Sequence, residues 1–319
     1  MKAPAALLAA AFAVFAAARP ASSAAEEPQS ASSAEAPASQ GQEVKAEPVD
    51  EGQKLHSAAF PACPPLPPLI PGKRPFPTGE KLSYDLDVVG AHAARMTLGL
   101  KAPRIRNGRP VLPITLQAQT GTLFSKIRSL KASIRCDLDS RSLLPAELLE
   151  DITMNGRSYR HEVTFPDAAS SARREIGISW QAGSERRGRD IWNIPGQALD
   201  DLSAFYFFRA LQLKPGDAFC ADILVLRHLW RVEGVVSGRE HASTPAGEFD
   251  VLHLTAKATR HDKPEDIREV HYWLSDDAFR LPVAAMGVID LGTLRAVLTS
   301  VQRPDLTLEA ARPAGQQDW

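Results

Sequence analysis

An apolar–polar alternation with a period of two runs through this chain from about residue 81 to about residue 300. Leu82, Tyr84, Leu86 and Val88 are interleaved with Ser83, Asp85 and Asp87. In an extended chain one set faces a core and the other faces water. The pattern returns at Met96, Leu98 and Leu100, at Ile114, Leu116 and Ala118, and at Ala132, Ile134, Cys136 and Leu138. A hairpin follows, in which Asn155-Gly156 joins 148–154 to the alternating set Tyr159, His161, Val163 and Phe165. Asn-Gly favours the positive φ angles of a two-residue β-turn. Ile176, Ile178 and Trp180 close the first half. Runs at 218–225, 229–236, 249–254, 270–274, 283–286 and 294–298 repeat the grammar. The expectation is a mainly β domain: a curved antiparallel sheet, or an incomplete barrel or sandwich, of about ten strands.

One segment breaks the period. Residues 201–211, Asp-Leu-Ser-Ala-Phe-Tyr-Phe-Phe-Arg-Ala-Leu, follow Pro195-Gly196 and stop before Lys214-Pro-Gly-Asp217. Asp200 or Asp201 can cap the free amides of a helix here, and Arg209 stands near the negative end of its dipole. Leu202, Phe205, Tyr206 and Phe208 leave almost no polar face, so the helix must be surrounded. A sheet wrapped on it would offer a concave apolar surface. Phe205, Tyr206, Phe208 and Trp273 are the candidate lining of a site for a lipid, a glycolipid or another apolar or amphipathic ligand. Arg209 and Arg280 are the candidates for its anionic headgroup, with a surface salt bridge as the alternative for each.

Composition changes at both ends. Lys2, the apolar run Ala5 to Ala18 and the small residues at 21–25 form a secretory signal over about 1–24. Its run of ~21 Å as helix is too short to span a hydrocarbon core of ~30 Å. Residues 25–74, rich in Ala, Ser and Glu and then in Pro, read as a disordered tether. A single β-rich domain over 75–301 and a loose tail over 302–319 complete the division. An exported protein of the periplasm or envelope of a Gram-negative bacterium is expected, with no transmembrane helix once the signal is cleaved.

The chemistry-bearing residues are sparse. With 37 basic and 38 acidic side chains, the chain lacks the positive surplus that nucleic acid binding needs. The eight His show no zinc-ligand spacing, and no nucleophile elbow, phosphate loop or dinucleotide fingerprint occurs. No metal or cofactor is expected. The doublets Glu150-Asp151, Asp200-Asp201 and Asp276-Asp277 suit caps and turns better than acid–base pairs, because adjacent strand residues point to opposite faces. Cys63 falls in the tether. Cys136 and Cys220 fall in strands, where an oxidising compartment would let them pair, the alternative being two buried thiols. An outer-membrane barrel fits poorly, since its strands need ~9 to 11 residues with an apolar outer band.

Five segments in order carry a resemblance: Pro75-Phe-Pro-Thr-Gly-Glu-Lys-Leu-Ser-Tyr84, Asp200-Asp-Leu-Ser-Ala-Phe-Tyr-Phe-Phe-Arg209, Lys214-Pro-Gly-Asp217, Thr244-Pro-Ala-Gly-Glu-Phe249 and Trp273-Leu-Ser-Asp-Asp-Ala-Phe-Arg-Leu-Pro282. Together they resemble the bacterial exported domain of unknown function 3108 family over nearly all of 75–301. The resemblance implies an envelope protein with a β-rich domain and carries no established reaction. The leading reading is non-catalytic binding of an apolar or amphipathic envelope ligand. A module docking to another envelope protein, and an enzyme acting on envelope polymers, are the alternatives.

Overall fold

The computed structural model describes residues 49–72, 74–166, 174–289 and 291–309. The expected secretory segment, residues 25–48 of the expected tether and residues 310–319 of the expected tail lie outside them. The described residues begin with β1 (Val49–Ser57), then β2 (Lys81–Val88), β3 (Ala91–Leu100), β4 (Arg104–Arg106), β5 (Arg109–Thr120), β6 (Leu130–Asp139), β7 (Pro145–Met154), β8 (Arg157–Thr164), β9 (Arg174–Ala182) and β10 (Arg186–Ile194). The short β11 (Ala198–Asp200) leads into α1 (Asp201–Arg209). Then come β12 (Ala218–Val225), β13 (His228–Thr244), β14 (Gly247–Arg260), β15 (Ile267–Ser275), β16 (Pro282–Ile289), β17 (Gly292–Arg303) and β18 (Leu306–Glu309).

These eighteen strands form one sheet. From β11 the pairing runs through β12 to β17 in sequence, crosses to β2 and β3, continues through β5 to β10 and ends on β1. β4 lies beside β5 and β18 beside β17. The alternation places the inner face: Leu82, Tyr84, Leu86 and Val88 of β2 are all buried. Asn155 and Gly156 both adopt positive φ, 48° and 78°, as a two-residue hairpin of this twist requires.

The helix explains the curvature. The Asp200 carboxylate accepts from the backbone N–H groups of Leu202 (2.8 Å) and Ser203 (2.9 Å), while Ser203 Oγ takes the Asp200 N–H. Two free amides and the cap are thereby satisfied together. All nine residues of α1 are buried. It packs against β11 and β12 at one end of the sheet and against β5 and β6 in its middle. A sheet that reaches one helix from both places must curl around it.

Four expectations are corrected. Eighteen strands replace about ten, because strands as short as β4 and β11 or as polar as β10 give no alternation to read. The sheet is mixed: β1 on β10 and β11 on β12 run parallel. The expected tether is part of the domain from residue 49. After β1 the chain crosses as a strap to the other end of the sheet, where Ala59 N–H donates to His261 Nδ1 (3.0 Å) and Arg231 donates to Pro61 O. Farther along, Gln212 N–H donates to Pro68 O (2.9 Å) and Ile70 N–H to Ala210 O (2.6 Å). Composition hides such a segment, since its anchors are backbone groups and distant partners. Finally, residues 302–309 of the expected loose tail continue β17 to Arg303 and turn back as β18.

Candidate functional site

The aromatic residues expected to line a pocket are packed against other rings. Phe205 meets Tyr272 edge-on at 5.9 Å, Tyr206 meets Phe76 at 5.1 Å and Phe208 meets Phe219 at 5.3 Å. Arg209 is wholly buried, donating to both oxygens of Glu80 at 2.6 and 2.8 Å and to Arg280 O at 2.8 Å. Burial alone would lower its pKa, but the Glu80 carboxylate holds the guanidinium charged and raises it. Arg303 reaches the same carboxylate at 3.3 Å. Arg280, also buried, donates to Leu211 O at 3.1 Å and lies 3.6 Å from Asp276. Both arginines are bound into the protein, which corrects their assignment to a headgroup.

Trp273 is not beside the helix. On β15, Val270, Tyr272 and Leu274 point inward, so Trp273 takes the outer face. There it stacks on His253 at 4.5 Å and donates its indole N–H to Glu240 at 2.8 Å. His253 also meets His271 at 3.0 Å.

The cysteine expectation is corrected as well. Cys63 and Cys220 form the disulfide, and Cys136 is a buried free thiol. Cys136 Sγ donates to Asp200 at 3.0 Å, and burial, followed by the Asp200 charge, pushes its pKa well up. Cys63 could be found as a partner only by knowing that the strap crosses β12.

The N-terminal end of α1 holds a buried acidic group that sequence reading treated as separate doublets. Glu150 on β7 meets His161 on β8 at 2.8 Å. Burial, then Glu150 and Asp200, push the Asp201 carboxyl well above the usual carboxylate range. Neither Asp201 oxygen has a hydrogen-bond partner among the described residues. Among the described residues no three His, Cys, Asp or Glu side chains converge as a metal site.

An accessible site lies instead at the β1 end of the sheet. A groove of about 460 Å³ is lined by Asp50, Gln53, Arg160, Glu162, Arg187 and Arg189, with Trp180 and Gly188 in its floor. Strand alternation explains the grouping. Arg160 and Glu162 on β8, Ser179 and Gln181 on β9, and Arg187 and Arg189 on β10 all take the outer face. Gly188 is required there, because a Cβ at that position would sit 2.7 Å from the Trp180 ring. Asp50 and Gln53 of β1 are paired with Arg187 and Arg189 across a bulge at Gly52. Beyond them β1 ends the sheet, and among the described residues no strand pairs with its far edge. Ala58 N–H bonds back to Asn193 O, so alternation turns the N–H groups of Ser57, Leu55 and Gln53 toward that open edge. Arginines and carboxylates beside an open strand edge suit an extended polar peptide segment. The segment was missed in the sequence because β1 has no apolar face.

Comparison with known proteins places the domain. The sequence model of the family described as protein of unknown function (DUF3108) matches residues 83–299. Among solved structures, the chain is similar to a β-barrel-like protein of domain of unknown function DUF1849 from Brucella abortus, at 8% identity, covering 70% of this chain and 97% of that one, with a TM-score of 0.46. It is also similar to a Bacteroides fragilis protein described as exported with a YmcC-like fold (9% identity, 72% and 98% covered, TM-score 0.30). A Parabacteroides distasonis protein described as a lipoprotein gives 7% identity, 72% and 97% covered, and a TM-score of 0.29. None of the curated proteins matches. No helix among the described residues is long and apolar enough to cross a membrane.

Proposed function

The chain belongs to the DUF3108 family, and we propose that it is an exported, non-catalytic docking module that receives an extended segment of another envelope protein along the edge of β1. The observation that carries this reading is the nine-residue strand β1, exposed along nearly all its length, open on one edge and flanked by the charged groove. A partner strand added there would draw affinity from main-chain hydrogen bonds and selectivity from side chains entering the groove. Export to the periplasm or envelope of a Gram-negative bacterium is supported by the signal-like segment at 1–24 and by a disulfide, which persists in oxidising compartments.

A lipid or glycolipid held between sheet and helix is the weaker reading, since Phe205, Tyr206 and Phe208 already fill that space with ring contacts. An enzyme acting on envelope polymers would have to use groove carboxylates such as Glu162, which Arg160 already engages at 2.9 Å.

The test is a photo-crosslinking amino acid placed at Gln53 and, as a control, at the exposed Ile267 on β15. In living cells position 53 should give a discrete protein adduct that position 267 does not. Leu55→Pro, which removes an edge-facing N–H, should abolish it while leaving the melting temperature nearly unchanged. An adduct indifferent to that proline, or none at position 53, would refute the docking edge.

A further inference from the structure

We infer that a second surface, the loop between β5 and β6, docks this protein on an anionic lipid bilayer. The first observation is in the sequence. Between Val88 and Cys136 the chain carries nine Lys and Arg residues and not one Asp or Glu, although the whole chain is balanced to a net charge of −1. Those residues are not scattered in space. They build β3, β4, β5 and most of β6, one sector of the sheet. At its end away from the β5–β6 loop Arg104 and Arg106 pair with Asp137 of β6, while Arg95, Lys126 and Lys131 lie toward the loop. On its outer face Arg95, Gln119 and Lys131 form a row across three strands. Arg95 also lies 3.6 Å from Asp85. The same row ends close below the β5–β6 loop.

The loop is built to hold apolar side chains out. Phe124 is buried and fixes a 3-10 turn, Phe124–Lys126. Its carbonyl accepts from the N–H groups of Ile127 and Arg128, both at 2.9 Å, and Ser125 N–H donates to Gly121 O at 2.9 Å. The loop is tied to its neighbours by Gly121 N–H on Ala93 O and by Ser129 N–H on Asn155 Oδ1, each 2.9 Å. On this braced turn Leu123 is 80% exposed and Ile127 70% exposed, with Lys126 between them. Val89, at the tip of the adjoining β2–β3 turn, is 70% exposed.

Single exposed apolar residues need no explanation, but bulky ones held rigidly at one end of a basic sector do. An anionic bilayer satisfies both features. Leu123, Ile127 and Val89 would enter the boundary between headgroups and acyl chains, and the lysines would face lipid phosphates. Each basic residue near such a surface strengthens binding about fivefold. This surface is separate from the β1 edge, so either proposal can fail alone.

The test is sedimentation of the chain with vesicles of phosphatidylglycerol mixed with phosphatidylcholine, and with phosphatidylcholine alone. The account expects binding to the mixed vesicles, weakening as salt is raised, and little binding to the neutral ones. L123E/I127E changes only exposed side chains and should weaken binding at least about 30-fold with an unchanged circular dichroism spectrum. Should that variant not fold, L123S/I127S should show the same direction of loss. Each variant shares its N-terminus with the wild type, so the difference belongs to the loop. Absence of binding to the mixed vesicles, equal binding to neutral ones, or full binding by the folded double variant would overturn the inference.

Discussion

Arg209 and Glu80, 129 residues apart in sequence, meet in a two-pronged ion pair in which neither side chain touches solvent. Through this pair the last residue of α1 is fastened to the segment that enters β2. Breaking such a pair leaves one buried charge uncompensated. Arg209→Met or Glu80→Gln should therefore each cost about 3–5 kcal/mol of unfolding free energy. The double variant should lose less than the two single losses added together. Urea unfolding of the three proteins checks this, and additive losses would mean that the two groups do not act as a pair.

The strap supplies a second prediction. The Cys63–Cys220 bond closes a loop over a sequence separation of 157 residues, and loss of a constraint of that kind costs about 2–5 kcal/mol. Cys63→Ser should lower the denaturation midpoint to nearly the value that Cys220→Ser gives. Reductant should destabilise the wild type and leave both variants where they were.

Asp201 predicts a pH dependence. Its carboxyl is raised above the ordinary value of 3.8 in the folded protein, so the folded state binds its proton more tightly than the unfolded state does. Its contribution to stability is full below pH ~4 and is lost as pH rises through the folded pKa. Asp200 is raised too, by burial, against hydrogen bonds from Cys136 and the helix amides that lower it. Asp201→Asn removes the titration at 201. The variant should gain stability over the wild type as pH increases from 4 to 8. A constant difference across that range would show that Asp201 does not titrate as described.

The contrast between the two faces of β15 can be measured directly. Phe205→Ala removes a ring packed against Tyr272 inside the shell and should cost about 3–5 kcal/mol. Trp273→Ala removes a half-buried ring from the outer face and should cost clearly less. Equal losses would contradict the inward and outward assignments.

Much of the fold was legible wherever burial is one-sided. The β2 alternation, the Asn155-Gly156 turn and the apolar helix at 201–209 are local consequences of side-chain chemistry. The outward direction of Trp273 was legible too, because it alternates with Tyr272 and Leu274 in a strand. What stayed hidden depends on partners far away in sequence. β1 is polar on both faces and is held by the backbone of β10. The strap is held by His261, Arg231 and Cys220, none of which is marked by residues 58–72 themselves. Pairing two strand cysteines was reasonable in isolation, yet Cys136 sits under Asp200 and Cys220 under the strap. The groove at the sheet edge could not be read for a related reason. Its residues come from four strands whose order in space is not their order in the chain.

The account rests on residues 49–72 being part of the domain, because the strap brings the two ends of the sheet together and makes β1 its edge. Peptide mapping of the unreduced protein tests this directly. It should yield one linked pair, Cys63 with Cys220, while the Cys136 thiol reacts with an alkylating agent only after unfolding. A link from Cys136 to either of the others, or a Cys63 thiol that reacts freely in the native protein, would contradict it.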